Sequence, residues 1–216
     1  MSKNLKKRIY TSLGLFFLLF LIIINNYFLV SVLLIIGIFS LMEFFKMMSL
    51  ILLKDKKKQY LFNILFVIYI FFINILVVVF SYNVHLKILI FLILLTCIFS
   101  DIGGYIFGKI FKGPKLTKIS PNKTFSGALG SLLFSSSFLL WANYSLTDNI
   151  EIYLIVTGCI ISASCQLGDL FFSYLKRKSF LKDTGNFLPG HGGVLDRIDG
   201  ILLGLPIGVL TLTVLY

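Results

Sequence analysis

The amino-acid sequence predicts an all-α polytopic membrane protein with about seven transmembrane helices. Of its 216 residues, 58% are apolar, and the mean hydropathy is +0.97. A water-soluble domain of this size does not need so much apolar side chain. The apolar residues are grouped in seven stretches, each about as long as the roughly 20 residues with which a helix crosses a bilayer. No Pro- or Ser-rich linker divides them, so we expect one integral membrane domain over residues 1–216.

The apolar stretches give the order of the predicted helices. The first follows the basic segment MSKNLKKR and ends without a small-residue cleavage site, which favours a retained helix over a cleaved signal peptide. Only Asn25 and Asn26 separate it from the second, so these two helices should form a tight hairpin. The 22-residue apolar run from Tyr27 to Met48 argues against a re-entrant pair. The predicted spans are residues 9–25, 27–48, 60–81, 86–111, 126–145, 150–177 and 198–216.

The basic residues predict the orientation of these helices, because cytoplasmic loops carry an excess of Lys and Arg. With the N-terminus in the cytoplasm, the basic groups within residues 3–8, 54–58, 109–123 and 176–197 all lie inside, and only Lys87 lies outside. We therefore predict a multi-pass protein of the cell membrane (inner or plasma membrane), with its C-terminus extracytoplasmic. The same distribution attributes the net charge of +11 to topology and to anionic lipid or phosphate ligands, rather than to nucleic acid.

Five of the nine acidic residues fall at the predicted cytoplasmic ends of helices. Asp101 and Asp169 lie eight and seven residues before a lysine of that face, which places each roughly 10–12 Å deep at about 1.5 Å per residue. Two more begin the last helix three residues apart, and therefore lie on one side of it. The five are Asp101, Asp169, Asp183, Asp196 and Asp199.

These acids predict either structural ion pairs with nearby Lys and Arg or a metal site. Charge at membrane depth is costly and is usually functional, and the Gly-rich segment beside the acids favours the metal. Carboxylates with open coordination positions suit Mg²⁺ that is shared with substrate phosphates, and a second cation remains open. The predicted ligands are Asp169, Asp196 and Asp199, with Asp101 as a further candidate.

Two basic segments are candidates for binding phosphate. Ser173 is four residues after Asp169, and Lys176 and Arg177 follow three and four residues later, so they share one helical stripe; Lys182 comes next. We assign Lys176, Arg177 and Lys182 to the reacting phosphates, because they surround the predicted metal carboxylates. Arg offers phosphate oxygens a planar fork, whereas Lys offers a point charge.

The second segment, KGPKLTKISPNKTFSG, leads into a helix, and helix N-termini bind anions. Its residues Lys115, Lys118 and Lys123, with Ser120, Thr124 and Gly127, could hold a polyphosphate, although positive-inside charge alone would also explain the lysines. Within this set we assign Lys123, with Ser120 and Thr124, to the nucleotide. The spacing is not that of a P-loop. His191, in PGHGG, either makes a hydrogen bond within the loop or binds substrate. Glycine pairs at 104/108 and 204/208 indicate close helix packing, either within the chain or in a homodimer.

The stretch from Ser173 to Asp199 resembles the signature of phosphatidate cytidylyltransferases, also called CDP-diacylglycerol synthases. It contains S-x-L-K-R, K-D-x-G, L-P-x-H-G-G and D-R-I-D in order. SD…Y at 100–105 and ISPNKT at 119–124 resemble two upstream motifs of that family. The chain departs from the family at Ser126, where Glu is usual, and at Ile102 and Gly104, where Thr and Ala are usual.

The resemblance implies a nucleotidyltransferase of phospholipid biosynthesis that condenses CTP with phosphatidate, using Mg²⁺, and releases CDP-diacylglycerol and pyrophosphate. Its active site would face the cytoplasm. By motif position it implies catalytic roles for Asp169, Lys176, Arg177, Asp183, Asp196, Arg197 and Asp199. It implies substrate contacts for Asp101, Tyr105, Ser120, Pro121, Lys123, Thr124, Ser173, Lys182, His191, Gly192 and Gly193.

Other functions remain alternatives from the sequence alone. A CTP-dependent polyprenol or lipid kinase would need similar charges. A CDP-alcohol phosphatidyltransferase is disfavoured, because DRIDG continues into ILLG and the DG-x-x-AR pattern is missing. A cation transporter could use the intramembrane acids, but it would not need the K-D-x-G…H-G-G segment. Pyrophosphate release that depends on CTP and phosphatidate would distinguish them.

Overall fold

The computed structural model describes residues 22, 25–185, 187 and 192–215, and the regular elements in these ranges are six α-helices. In chain order they are α1 (Asn26–Ile51), α2 (Lys56–Ser81), α3 (Val84–Phe111), α4 (Phe125–Thr147), α5 (Tyr153–Lys178) and α6 (Leu195–Leu215). Each is long and apolar enough to cross a membrane. Over the described residues, this confirms the prediction of an all-helical fold with several helices suited to a membrane.

The helix bounds agree with the predicted spans to within a few residues. The largest difference is at the start of α2, where basic residues extend the helix to Lys56, four residues before the predicted start. The end of α1 and the starts of α5 and α6 each differ by three residues. The predicted first helix over 9–25 and the basic residues before it lie outside the described ranges, apart from residues 22 and 25. The total of seven helices and the orientation of the termini remain predictions.

Local hydrogen bonds explain where several helices begin and end. The Asn25 side chain accepts the backbone N–H of Tyr27 at 2.9 Å and caps α1, so the Asn pair marks a helix start as expected. Asp55 caps α2 by accepting the backbone N–H of Lys58 at 3.1 Å. α4 ends at Asp148, whose φ of 56° is left-handed and stops the helix.

The helices belong to two compact units, each built from two stretches of chain. The first consists of the described parts of Met1–Val84 and Leu175–Ile198, and contains α1, α2 and the segment leading into α6. The second consists of His85–Tyr174 and the described part of Asp199–Tyr216, and contains α4 and most of α3, α5 and α6. The prediction of one domain over the whole chain remains a prediction.

In the first unit, α1 packs closely against α2. The rings of Phe44 and Phe66 stack with centroids 3.9 Å apart. Gly37 permits the approach, because a Cβ there would lie 3.1 Å from Asn74 Nδ2. The acidic residue Glu43, next to Phe44 in sequence, is also buried.

In the second unit, one glycine from each predicted pair makes a tight helix contact. A Cβ on Gly104 would lie 2.6 Å from Ser131 Oγ of α4, and a Cβ on Gly208 would lie 2.9 Å from Ile93 Cγ2 of α3. Both spacings therefore serve packing within the chain, one of the two expectations. A homodimer remains untested.

Buried polar groups also link helices of the second unit. The hydroxyls of Ser100 on α3 and Ser162 on α5 are 2.7 Å apart. Gln166 Nε2 donates to the Ala128 carbonyl of α4 at 3.3 Å. In hydrocarbon such groups need protein partners, and here they connect three helices close to the acidic residues Asp101 and Asp169 along the chain.

Candidate active site

Asp196, at the start of α6, is the centre of a hydrogen-bonded cluster in the first unit. Its Oδ1 accepts Lys176 Nζ at 2.8 Å, and its Oδ2 accepts the backbone N–H groups of Thr184 at 2.9 Å and Gly193 at 3.1 Å. The side chains of Lys176 and Asp196 are only 13% and 9% exposed. The cluster therefore holds a largely buried ion pair at the start of a helix. Its carboxylate also bonds the backbone of the connection between α5 and α6 at two points, Thr184 and Gly193.

Glu43 of α1 also bonds to the connection between α5 and α6 and to the start of α6. Its side chain is buried, with 7% of the residue exposed. Oε1 accepts the backbone N–H of Val194 at 3.0 Å, and Oε2 accepts the backbone N–H of Leu195 at 2.8 Å. The Thr184 hydroxyl donates to Oε2 at 2.7 Å. Thr184 thus bonds to both acids, through its backbone to Asp196 and through its side chain to Glu43.

The glycines of this segment are required by its geometry. Gly192 has a φ of 85°, a left-handed conformation that side chains disfavour. A Cβ on Gly193 would lie 2.7 Å from Glu43 Oε1, and a Cβ on Gly185 would lie 3.0 Å from Glu43 Cδ. The backbone therefore approaches the carboxylate closely. These are steric reasons for the glycines, and the predicted substrate contacts of Gly192 and Gly193 remain predictions.

A second cluster surrounds Asp169 of α5, in the second unit. Asp169 forms an ion pair with Lys123, and Ser173 Oγ donates to Asp169 Oδ1 at 3.2 Å, as the spacing of four residues predicts. Asp101 of α3 interacts electrostatically with both Asp169 and Lys123. The Lys123 and Asp169 side chains are 24% and 33% exposed, so the protein does not fully enclose this cluster.

The segment before α4 folds back on itself and sets the position of Lys123. The backbone N–H of Leu116 donates to the Lys123 carbonyl at 2.8 Å, and the Lys123 N–H donates to the Ser120 carbonyl at 3.1 Å. Thr124 caps α4 by accepting the Gly127 N–H at 3.1 Å. The Thr124 hydroxyl thus has a capping role, while the Lys123 amino group points to a carboxylate.

The other predicted site residues lie mostly on exposed positions. Tyr105 is 67% exposed, and Lys109 Nζ lies 5.6 Å from its ring centroid. Asp199 is partly buried, and its Oδ1 accepts the Gly200 N–H at 2.9 Å. His191 lies outside the described residues. The exposed members of the predicted set are Tyr105, Asp101, Pro121, Arg177, Lys182, Asp183 and Arg197.

The carboxylates of the Asp169 cluster could hold Mg²⁺ only together with other ligands. Within the described ranges, no group of three or more His, Cys, Asp or Glu side chains is arranged to hold a metal alone. Mg²⁺ is commonly held by one or two carboxylates together with substrate phosphates and water. Asp101 and Asp169 match that requirement. Asp196 already accepts three hydrogen bonds, so its role as a ligand remains a prediction, as does that of Asp199.

Glu43 is the residue that motif reasoning missed. The motifs select acids close in sequence to the Gly-rich segment or to the upstream motifs, and Glu43 lies far from both. A signal was present, since Glu43 is the one acidic residue within the predicted 27–48 helix. An ionisable residue inside an apolar span is a functional candidate by default.

Comparison with known proteins identifies the family to which this chain is similar. The model of the cytidylyltransferase family matches residues 2–215. Phosphatidate cytidylyltransferase of Rickettsia felis is 43% identical over 126 residues, covering 54% of this chain and 56% of that protein. The enzymes of that name from Mycobacterium leprae and Helicobacter pylori are 35% identical over 127 residues and 38% identical over 112 residues. These matches cover 58% and 52% of this chain, and 41% and 42% of the two relatives.

The chain spans about half the length of the curated relatives it matches. The three relatives come from three different bacterial genera, and all three are named phosphatidate cytidylyltransferase. The family match extends over nearly all of the chain, from the basic N-terminal segment to the end of α6. The protein belongs to the cytidylyltransferase family.

Proposed function

We propose that this protein is a membrane nucleotidyltransferase that condenses CTP with phosphatidate to give CDP-diacylglycerol and pyrophosphate. Its family and the printed names of its relatives support this reaction. The observation that carries it is the pairing of two of the predicted site acids with lysines: Lys176 with Asp196, and Lys123 with Asp169. Each pair offers groups of both signs, as phosphate and a metal ion together require, in a chain whose helices suit a lipid substrate.

The proposed chemistry demands positioning more than proton transfer. A phosphate oxygen of phosphatidate attacks the α-phosphorus of CTP, and the bond from that phosphorus to the bridging oxygen breaks, so that pyrophosphate leaves. The attacking phosphate is already anionic near neutral pH, so no strong general base is needed. Catalysis then depends on alignment of the reactants and on neutralisation of developing charge.

The two clusters supply these requirements separately. Lys123 neutralises the nucleotide phosphates, with Ser120 and Thr124 beside it in the same segment. Lys176, together with Arg177 and Lys182, neutralises the reacting phosphates. Asp101 and Asp169 are the carboxylates best suited to Mg²⁺, which when bound would neutralise charge on the phosphate oxygens.

The function is tested with the whole chain in vesicles that contain phosphatidate. The expected result is Mg²⁺-dependent formation of CDP-diacylglycerol from CTP, with one pyrophosphate released per lipid product. ATP should not replace CTP. Phosphorylation of a polyprenol with release of CDP would instead show a CTP-dependent lipid kinase. Cation flux without CTP turnover would show a transporter, and either result would refute the proposal.

We also propose that the site faces the cytoplasm, with the N-terminus inside and the C-terminus outside. In variants whose native cysteines are replaced by alanine, Lys118→Cys should react with a membrane-impermeant thiol reagent only in inside-out vesicles. Ile150→Cys, at a position that is 72% exposed, should react in intact cells. Labelling of Lys118→Cys in intact cells would reverse the topology, since the charge distribution predicts this segment inside.

Lys123→Ala should raise the KM for CTP about tenfold or more, since a hydrogen bond to a charged group contributes about 1.5–3 kcal/mol. Steady-state rates measured with CTP and phosphatidate varied separately would show this. Lys57→Ala is the control, because it removes an exposed lysine of the same predicted cytoplasmic face that has no assigned phosphate contact. An effect of Lys123→Ala on the KM for phosphatidate alone would contradict the assignment to the nucleotide.

A further inference from the structure

Glu43 bears a carboxylate in the apolar interior of α1, yet all of its described partners belong to a distant segment. The residues that donate to it, Thr184, Val194 and Leu195, are 141 to 152 positions away in sequence. Burial of a carboxylate is costly unless several donors compensate it. By contrast, Ser40, one turn earlier on α1 and fully buried, donates to the Ile36 carbonyl of its own helix. Glu43 is therefore directed at the start of α6.

The Glu43 carboxylate accepts backbone N–H groups that have no acceptor within α6. The first N–H groups of a helix have no partner within it, and a negative charge near them is favourable. Glu43 accepts the N–H groups of Val194 and Leu195 on two different oxygens, which fixes both the position and the rotation of the first turn of α6. Asp196 is the next residue, so its direction towards Lys176 follows from that turn.

Residues without side chains line the Glu43 carboxylate. Gly185 and Gly193 lie against the Glu43 carboxylate, where a side chain on either would collide with it. The Thr184 hydroxyl completes the set of donors, while its N–H belongs to Asp196. Thr184 is thus bonded to two acids: Asp196, which forms the ion pair with Lys176, and Glu43.

We propose that Glu43 is a positioning residue for cytidylyl transfer. It fixes Thr184 and the first turn of α6 at Val194 and Leu195, and through them it holds Asp196 in the geometry that its pairing with Lys176 requires. The role rests on the proposed function for its kinetic consequences. The structural consequence, protection of the Val194 and Leu195 N–H groups, is independent of the reaction.

Glu43→Gln is the principal test because the side chain keeps its size. An amide has one acceptor oxygen, so at least one of the two backbone N–H groups loses its partner and faces another donor. We expect kcat to fall roughly a hundredfold, since displacement of a catalytic group by about 1 Å has an effect of that order. The KM for CTP should change little. Amide hydrogen exchange in peptides that contain Val194 and Leu195 should become faster.

Ser40→Ala is the matched control, since it removes a buried polar group of the same helix without touching the segment. It should leave both kcat and the exchange of these peptides near wild type. Equal kinetics and equal exchange for Glu43→Gln and Ser40→Ala would overturn the proposal. So would a rise in the KM for CTP with kcat unchanged, which would place Glu43 in nucleotide binding.

Thr184 provides a second test if Glu43→Gln does not fold. Thr184→Val removes one donor to Glu43 at nearly constant size, and should lower kcat in the same direction but less. Thr184→Ser keeps the hydroxyl and should restore it. Failure of serine to restore kcat would refute the role of this contact. If the wild-type chain does not turn over CTP with phosphatidate, the proposed function fails, while the exchange measurement still decides what Glu43 does to the segment.

Discussion

Asp169→Asn is expected to lower CDP-diacylglycerol synthesis at least about a hundredfold, because electrostatic stabilisation of this kind is among the largest catalytic effects of single side chains. Asparagine keeps the shape of the side chain and can still accept the Ser173 hydroxyl. It carries no charge to pair with Lys123 or to hold Mg²⁺ together with Asp101. Initial rates of pyrophosphate release, measured over a range of Mg²⁺ concentrations, should show both a lower maximum and a requirement for more Mg²⁺.

Asp148→Asn is the control for this experiment. Asp148 is an exposed residue at the end of α4 with a left-handed backbone, which asparagine adopts readily. It should therefore retain wild-type rates. Near-normal activity of Asp169→Asn, with an unchanged dependence on Mg²⁺, would remove Asp169 from both the metal and the phosphate sites.

The helices could be predicted from sequence because the bilayer imposes a simple condition. Every backbone polar group in hydrocarbon must be bonded within the protein, so an apolar run of sufficient length becomes a helix. The run 27–48 accordingly lies within α1, Asn26–Ile51. Hydropathy does not determine which faces meet. The 104/108 glycine spacing indicated a close contact, but only the structure assigns it to Ser131 of α4.

The site was predictable where local geometry sets it and unpredictable where tertiary packing does. Ser173 bonds to Asp169 because residues four apart share a helix face. The pairing of Lys123 with Asp169 depends instead on how the segment before α4 folds back against α5, which no spacing reveals. Glu43 was overlooked for the same reason. Its partners are more than 140 positions away, and its importance comes from burial rather than from a motif.

Removing either member of the Lys176–Asp196 pair should abolish most activity and also lower stability. The two side chains are 13% and 9% exposed, so Lys176→Met removes the ammonium that donates to the largely buried Asp196 carboxylate, and Asp196→Asn removes the charge that the largely buried ammonium faces at 2.8 Å. Breaking a buried pair in this way typically costs about 3–5 kcal/mol. Thermal unfolding in detergent and CTP turnover in vesicles, measured on the same preparations, would show both losses.

The double variant Lys176→Met with Asp196→Asn separates a structural pair from a catalytic one. It leaves neither charge buried alone, and replacement of both partners of a buried pair is often close to neutral. The unfolding temperature should therefore rise well above that of either single variant. Activity should not return, because a methionine cannot neutralise a phosphate and an asparagine cannot balance the cations around it. Recovery of turnover along with stability would mean that the pair only holds the start of α6 in place, and that the reacting phosphates are neutralised by other residues.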